Sequence, residues 1–126
     1  MSSPHRLFIY GTLLPGEANQ HQLRGATRIG PAATAATFDL LDLGAYPALR
    51  YGGRTSVRGE LYLVPATLIP TLDEFEGHPT LFLRGPIALA SGETAEAYLV
   101  PPGGLAPGFF GARLIPAGDW RGRARR

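Results

Sequence analysis

The sequence predicts an α+β domain around a mostly antiparallel or mixed sheet or small β-barrel, with one or two flanking helices. Strand-like segments outnumber helical ones and do not alternate with them regularly, which argues against a doubly wound parallel sheet. The chain has 126 residues, about the size of one average domain. Hydrophobic residues make up 44% and charged residues 17%, so a single buried core is expected and disorder is not. We expect one domain over residues 1–120 and a basic tail over residues 121–126.

The first part of the chain is predicted to hold two strands and a short helix. Leu7–Tyr10 is an apolar and aromatic run, typical of a buried strand, and it stops at Gly11. A turn-rich connection leads to a helix candidate at Glu17–Arg24. A second strand is expected within Ala32–Leu43, and Tyr46–Leu49 is interpreted as a loop.

The later strands are indicated by alternation and by turn residues. Val57–Val64 alternates fairly well, which predicts a strand buried on one face only. Leu81–Ala90 and Glu93–Val100 form a hairpin candidate across Ser91–Gly92. Beyond it the chain is rich in Pro and Gly, with one more short strand expected at Leu114–Ile115.

One segment has a clear helical pattern, Leu68–Glu76. Thr67 can cap its start, and Pro70 then falls in the first turn, where a missing N–H costs little. Apolar residues recur at spacings of four and three and form a stripe that includes Phe75 and is expected to face the core. Gly77 is the expected C-terminal stop.

The residue inventory excludes several kinds of chemistry. The chain has no Cys and no Lys, and all 12 basic residues are Arg. Thiol nucleophiles, Cys-ligated metals, Lys Schiff bases and a P-loop lysine are therefore excluded. The three histidines, His5, His21 and His78, show no metal-ligand spacing, so no metal site is predicted.

The positive net charge belongs to the end of the chain. Residues 1–120 hold 8 Arg and 10 acidic residues, whereas Arg121, Arg123, Arg125 and Arg126 follow them. A mildly acidic body argues against a nucleic-acid partner, and the tail is either solvated or docks on an anionic surface. No signal-peptide core and no apolar run of about 20 residues is present, so a cytoplasmic protein that does not bind membranes is expected.

Tyr10–Gly16, with Asn19 three residues on, is the first candidate for a functional segment. A strand that stops at a glycine lets backbone N–H groups face outward, where they can bind an anion or an oxyanion. The alternative is an ordinary turn between a strand and a loop.

The second candidate is the acidic run at Asp73–His78. Three carboxylates crowd into four residues at a helix C-terminus, where the helix dipole disfavours negative charge. Repulsion and partial burial would raise the pKa of Glu76 and suit it to general acid–base work. A solvated acidic helix end is the alternative interpretation.

Arg84 lies inside an apolar strand and needs an anionic partner. Asp73 could supply that partner, so Arg84 either forms a structural salt bridge or binds a substrate carboxylate.

Taken in order, the two segments resemble the γ-glutamylcyclotransferase-like family, in the compact branch that includes γ-glutamylamine cyclotransferases. The first motif is a strand followed by a Tyr-Gly-Thr-Leu loop, with Gly16 and Asn19 after it. The second is Leu-Asp-x-x-Glu-Gly over residues 72–77, followed by an aromatic residue and Arg84. Further family features are Tyr46–Leu49, Gly59–Tyr62 and the strand of Tyr98.

The resemblance implies a small β-barrel and a cofactor-free cleavage of a γ-glutamyl amine or amino acid to 5-oxoproline and the free amine. It implies that Glu76 is the catalytic acid–base. Asp73 and Arg84 stay open as structural residues or as a site for the substrate carboxylate. The implied substrate-binding residues are Tyr10, Gly11, Thr12, Leu13, Asn19 and Tyr98. The family's usual Tyr before the arginine is Phe82 here, which bears on substrate choice. Tyr46–Tyr51 and Leu105–Phe110 are candidates for the leaving-amine pocket.

Two other functions stay open at this point. The same pocket could retain a γ-glutamyl-like or other small anion without turnover, or the arginine tail could make the protein an interaction partner. For the enzyme and for the binding module, the expected partner is a small γ-glutamyl compound. The oligomeric state does not follow from the sequence.

Overall fold

The computed structural model describes residues 3–105 and 111–122. Its elements in chain order are β1 (His5–Ile9), a 3₁₀ helix (Gln20–Leu23), β2 (Thr27–Ala33), β3 (Phe38–Asp42), β4 (Pro47–Tyr51), β5 (Arg58–Val64), α1 (Ile69–Glu76), β6 (Leu83–Ala88), β7 (Thr94–Leu99) and β8 (Arg113–Leu114). None of the helices in these ranges is long and apolar enough to cross a membrane.

The strands of the described residues form one mixed sheet. Its order is β2-β5-β1-β7-β4-β3-β8, and β6 pairs with β7 outside this path. β7 runs parallel to β1 and β4, and the other pairings are antiparallel. The predicted α+β class with a mixed sheet and one helix is confirmed. The sheet does not close, so a barrel is only a loose description of it.

β1 and β4 both pair with the same edge of β7, and a gap lies between them. β6 pairs with β7 along its whole length, from Leu83 opposite Leu99 to Ala88 opposite Thr94. The other edge of β7 is shared, because Leu7 of β1 pairs with Glu96 and Leu49 of β4 pairs with Leu99. The chain that leaves β1 at Tyr10 therefore enters the gap between β1 and β4.

β1 is buried on both faces of the sheet. Phe8 belongs to one apolar cluster, which also contains Phe38 and Trp120, whereas Leu7 and Ile9 belong to a second. Successive side chains of a strand point to opposite faces, so an unbroken apolar run fits a central strand with both faces covered. The helix α1 adds Ile69 and Leu72 to the second cluster.

The structure corrects three expectations in the first half of the chain. The segment read as one strand, Ala32–Leu43, holds the end of β2 and all of β3. They are separated at Thr34, a buried residue whose hydroxyl accepts a hydrogen bond from the Val57 N–H at 2.9 Å. The Tyr46–Leu49 loop is largely strand β4, because its backbone pairs with β3. The helix predicted at Glu17–Arg24 is only a single 3₁₀ turn.

The one-sided burial predicted for β5 is wrong. Glu60 and Tyr62 are buried, whereas Leu63, which alternation places on the opposite face with Leu61, is 36% exposed. Leu61 belongs to the first apolar cluster and Tyr62 to the second, so both faces of β5 are covered. Arg28 of β2 makes the buried carboxylate tolerable, because its Nε and Nη2 donate to Glu60 at 2.7 and 3.0 Å.

The helix α1 ends as predicted but begins differently. Gly77 adopts a left-handed conformation with φ of 69°, which stops the helix, and a proline lies in its first turn. Leu68 occupies the N-cap position without a side-chain hydrogen bond, so the predicted Thr67 cap is wrong. Phe75 is 40% exposed, because Ile69 and Leu72 face the core and Phe75 lies toward a cavity beside the helix. The predicted hairpin and last short strand are present as β6–β7 and β8.

Candidate active site

A cavity of about 250 Å³ opens between the end of β1 and the last turn of α1. Its lining combines one carboxylate, the backbone of a loop and several aromatic rings. The residues that line it are Phe8, Ile9, Tyr10, Gly11, Thr12, Leu13, Asn19, Tyr46, Pro47, Phe75, Glu76, Leu81, Phe82 and Tyr98.

The loop after β1 is held by hydrogen bonds between its own residues, and three of its backbone N–H groups have no acceptor among the described residues. The Leu14 N–H donates to the Gly11 carbonyl at 3.0 Å and closes a turn. Asn19 supports that turn twice, through its own N–H to the Thr12 carbonyl at 2.8 Å and through Nδ2 to the Thr12 hydroxyl at 3.0 Å. No described residue accepts a hydrogen bond from the N–H of Gly11, Thr12 or Leu13. The three residues line the cavity, so these donors are candidates to bind a ligand there.

A glycine is required at position 11 by the approach of Pro47. A Cβ on Gly11 would lie 2.6 Å from Cγ and 2.8 Å from Cδ of Pro47. The proline is the first residue of β4 and lines the same cavity. The loop can therefore lie against β4 only because residue 11 has no side chain.

The Tyr10 hydroxyl connects the two strands that separate at β7. It donates a hydrogen bond to the Tyr98 carbonyl at 2.5 Å and accepts one from the Leu49 N–H at 3.3 Å. Burial, with the nearby charge of Glu76, raises the pKa of Tyr10, so the phenol keeps its proton. This bridge fixes the start of the loop.

Glu76 is the last residue of α1 and lines the cavity. No described residue forms an ion pair or a hydrogen bond with its carboxylate. Burial raises the pKa of Glu76 to about 7. Tyr10, Tyr46 and Tyr98 each have a pKa raised by burial first and by the charge of Glu76 in addition. The carboxylate thus lies among three phenol rings and can exchange a proton near neutral pH.

Asp73, one turn earlier on α1, is paired. Arg84 Nε and Nη2 donate to its two oxygens at 2.9 and 3.2 Å, and the Tyr98 hydroxyl donates to Oδ1 at 2.8 Å. Burial opposes ionisation of Asp73, but the hydrogen bonds from Arg84 and Tyr98 and the Arg84 charge outweigh it and lower the pKa. Asp73 and Arg84 do not line the cavity, and Tyr98 connects them to it.

The structure brings most of the predicted site residues to one cavity. These are Glu76, Tyr10, Gly11, Thr12, Leu13, Asn19 and Tyr98. Asp73 and Arg84 do not line the cavity and form an ion pair behind Tyr98. Of the predicted leaving-amine pocket, Tyr46 and Pro47 line the cavity, whereas residues 106–110 lie outside the described residues. Sequence reasoning missed Phe8, Ile9, Phe75 and Leu81 as lining residues. Apolar side chains on strands and helices carry no local signal that separates a cavity wall from a core.

The end of the described chain lies against the site loop. The buried Trp120 donates from Nε1 to Glu17 at 3.0 Å. Arg121, assigned to the tail, donates to the Pro15 carbonyl at 3.2 Å and so contacts the domain. The other tail arginines, Arg123, Arg125 and Arg126, lie outside the described residues. Within residues 3–105 and 111–122, no group of three or more His, Asp or Glu side chains could hold a metal ion.

Comparison of the sequence with protein-family models identifies one family. Residues 7–122 match the model described as "Gamma-glutamyl cyclotransferase, AIG2-like". A Vibrio cholerae protein named as a provisional gamma-glutamylcyclotransferase is 37% identical over 116 residues, which are 92% of this chain and 95% of that protein. The gamma-glutamylcyclotransferase family protein YtfP of Escherichia coli K12 is 31% identical over 94% of this chain and 97% of its own length. Gamma-glutamylaminecyclotransferase A of Danio rerio is 32% identical over 74% of this chain and 66% of its own length.

Solved structures support the same fold. The crystal structure of an AIG2-like protein from Mus musculus superposes with a TM-score of 0.73 at 23% identity, over 99% of this chain and 98% of that chain. The solution structure of YtfP from Escherichia coli superposes with a TM-score of 0.67 at 28% identity, over 91% of this chain and 95% of that chain.

Proposed function

The chain belongs to the gamma-glutamyl cyclotransferase, AIG2-like family of enzymes, and from that premise we propose that it converts a γ-glutamyl amine or γ-glutamyl amino acid to 5-oxoproline and the free amine. One observation carries the proposal. Glu76, whose pKa burial raises to about 7, lines the same cavity as the unused backbone donors of Gly11, Thr12 and Leu13. A cyclisation of this kind needs both a base and an oxyanion or carboxylate site.

The reaction begins with proton transfer to Glu76. The substrate carries an α-ammonium group, which must lose a proton before its nitrogen can attack the γ-carbonyl carbon of the same molecule. A carboxylate with a pKa near neutrality is suited to take that proton and later to return one. Because the nucleophile and the electrophile belong to one molecule, the cavity accelerates the step by holding a conformer in which the two are close.

Bond making and bond breaking then balance without water or a further reactant. The α-nitrogen forms a bond to the carbonyl carbon of the γ-glutamyl amide and closes a five-membered ring, and the carbonyl oxygen becomes an oxyanion. When the oxyanion collapses, the bond from the carbonyl carbon to the leaving nitrogen breaks, and the protonated Glu76 gives its proton to that nitrogen. The ring nitrogen then loses its second proton through Glu76 to the free amine, so the amine leaves as an ammonium and Glu76 is ionised again. Backbone N–H groups of Gly11, Thr12 and Leu13 are suited to stabilise the oxyanion or the substrate's α-carboxylate.

The far wall of the cavity supports a role in holding the leaving group. Tyr46 and Phe82 pack edge to face with ring centroids 5.9 Å apart, and Phe75 and Leu81 complete an apolar surface. Such a surface favours the aliphatic or aromatic part of an amine.

The test uses purified protein with a panel of γ-glutamyl amines and dipeptides, and measures 5-oxoproline. We expect the wild type to release it, and Glu76→Gln to lower kcat by about 10²–10⁴-fold. Glu74→Gln is the matched control, because Glu74 is an exposed carboxylate on the same helix. Equal release by the wild type and Glu76→Gln would show that the mechanism is wrong. If no member of the panel is turned over but one raises the melting temperature, the cavity binds without catalysis.

A further inference from the structure

A chain of hydrogen bonds and ion pairs runs from the protein surface to the cavity wall. His5 Nδ1 lies 2.5 Å from Glu96 Oε1, and Glu96 Oε2 accepts a hydrogen bond from Arg84 Nη1 at 2.6 Å. Arg84 holds both oxygens of Asp73, and Asp73 Oδ1 accepts the hydrogen bond of the Tyr98 hydroxyl. Tyr98 alone among these residues lines the cavity. The proposed reaction, as described above, uses neither His5 nor Glu96.

Arg84 is immobilised because it has a carboxylate on each side. Its guanidinium donates three hydrogen bonds, two to Asp73 and one to Glu96, and its side chain is 19% exposed. A guanidinium is a planar group with donors in a fixed arrangement, so two acceptors in different directions determine its orientation. Without Glu96 the guanidinium would keep its two bonds to Asp73, but this pair would no longer be anchored to β7. Asp73, and with it the Tyr98 hydroxyl, would then lose its fixed position.

We propose that Glu96 is a positioning residue of the cyclisation. Acting through Arg84 and Asp73, it fixes the Tyr98 hydroxyl so that the hydroxyl oxygen accepts a hydrogen bond from the substrate's α-amino group. This inference rests on the proposed function, and it assigns a role to three residues outside the cavity, Glu96, Arg84 and Asp73.

The role of the Tyr98 hydroxyl follows from what it already donates to. Its proton is committed to Asp73, which Arg84 keeps ionised, so its oxygen can only accept a further hydrogen bond. Burial, and next the hydrogen bond to Asp73, raise the pKa of Tyr98, so the phenol keeps that proton. An ammonium group is a donor of three hydrogen bonds and suits an acceptor beside the Glu76 carboxylate. Hydrogen bonds in such a series strengthen one another, which makes the oxygen a better acceptor.

The test is a double-mutant cycle on kcat/KM for 5-oxoproline release. We expect Glu96→Gln to lower kcat/KM by about tenfold in the wild-type background. In the Tyr98→Phe background, the same substitution should change kcat/KM by less than about twofold, because the group it positions is absent. A purely structural effect of Glu96 would persist in both backgrounds, and that result would overturn the proposal.

Glu93→Gln is the matched control. Glu93 lies just before β7, the strand of Glu96, and forms an ion pair with Arg6 at 3.3 Å. Its side chain is 60% exposed and does not belong to the chain of hydrogen bonds that leads to Tyr98. Its substitution should leave kcat/KM unchanged. If Glu96→Gln does not fold, His5→Ala takes its place, since it removes only the outer partner of Glu96. The same dependence on Tyr98 is then expected at a smaller size, and a loss that is equal in both backgrounds would overturn the proposal.

A second measurement does not depend on turnover. The ¹³Cζ resonance of Tyr98, assigned by its absence from Tyr98→Phe, should shift in Glu96→Gln and stay in place in Glu93→Gln. An unshifted resonance would refute positioning by Glu96. If the wild type released no 5-oxoproline, the proposed function would fail, and this resonance would still decide whether Glu96 positions Tyr98.

Discussion

Asp73 and Glu76 lie three residues apart on α1, and their environments move their pKa values in opposite directions. Burial raises the pKa of Glu76 to about 7. For Asp73 burial acts the same way, but hydrogen bonds from Arg84 and Tyr98 outweigh it, and the pKa is lowered. Asp73 is therefore a permanent carboxylate at neutral pH, while Glu76 is close to its midpoint. Neighbouring carboxylates with separated pKa values are a pattern that assigns one group to structure and the other to proton transfer.

The activity should depend on pH through Glu76. The carboxylate must be ionised to accept the substrate's proton, so kcat/KM should rise with pH and level off above the pKa of about 7. Initial rates of 5-oxoproline release between about pH 5 and 9 measure this dependence in the free enzyme. Glu74→Gln should retain the midpoint. A profile that is flat over this range would contradict the role of Glu76.

The stability of the fold should also depend on the ionisation of Glu76. The ionised form, which activity requires, is the form that lowers stability. The folded pKa of about 7 exceeds the ordinary value of 4.5, so the folded protein binds more protons between these two values. The contribution of Glu76 to stability is therefore fully present below pH 4.5 and is lost as pH rises through about 7. Glu76→Gln cannot ionise, and at about pH 8 it should melt roughly 10 °C above the wild type.

Thermal melts of the wild type and Glu76→Gln at two pH values check this sign. The difference should shrink toward zero below pH 4.5, where the wild-type carboxyl becomes protonated in both states. Glu74→Gln should follow the wild type at both values, because Glu74 is exposed. A Glu76→Gln variant that is less stable at the higher pH would mean that the ionised carboxylate stabilises the fold.

Gly11→Ala should displace the loop from β4. The added Cβ would lie 2.6 Å from Pro47 Cγ, so the loop or the proline must move. We expect a loss of about 1–3 kcal/mol in the free energy of unfolding, measured with urea. The displaced N–H groups should lower kcat/KM by about 100-fold. Gly103→Ala is the control, since nothing lies within 4 Å of a Cβ there. Equal behaviour of the two variants would show that the approach of Pro47 is unimportant.

Phe82→Tyr should change the choice of leaving amine. Phe82 is 4% exposed, packs against Tyr46 and lines the cavity, so a hydroxyl at this position adds a polar group to an apolar wall. The kcat/KM ratio between an amide with an apolar leaving amine and one with a hydroxylated leaving amine should fall by about tenfold. Tyr51→Phe exchanges the same hydroxyl outside the cavity and should leave the ratio unchanged. An unchanged ratio in Phe82→Tyr would place the leaving group elsewhere.

Much of the fold could be read from local pattern. The apolar run of β1 and its stop at Gly11, the helix α1 with its Gly77 end and the β6–β7 hairpin all depend on residues close in sequence. The predictions of a loop at Tyr46–Leu49 and of a helix at Glu17–Arg24 were wrong because they also used only residues close in sequence. Whether a segment that contains proline becomes a strand depends on a pairing strand such as β3. The periodicity of one segment does not show which other strand will pair with it.

By itself, the sequence determined which groups are available for chemistry. Without Cys or Lys, the acidic end of α1 and the glycine loop after β1 were the segments that could carry a reaction. The resemblance implied different roles for Glu76 and Asp73, but only the tertiary structure gives the physical reason, because it moves their pKa values in opposite directions. The difference comes from Arg84 and Tyr98, which lie 11 and 25 residues beyond Asp73 and reach it through strand pairing. A pKa depends on burial and on charges nearby in space, and pairing between distant strands establishes both.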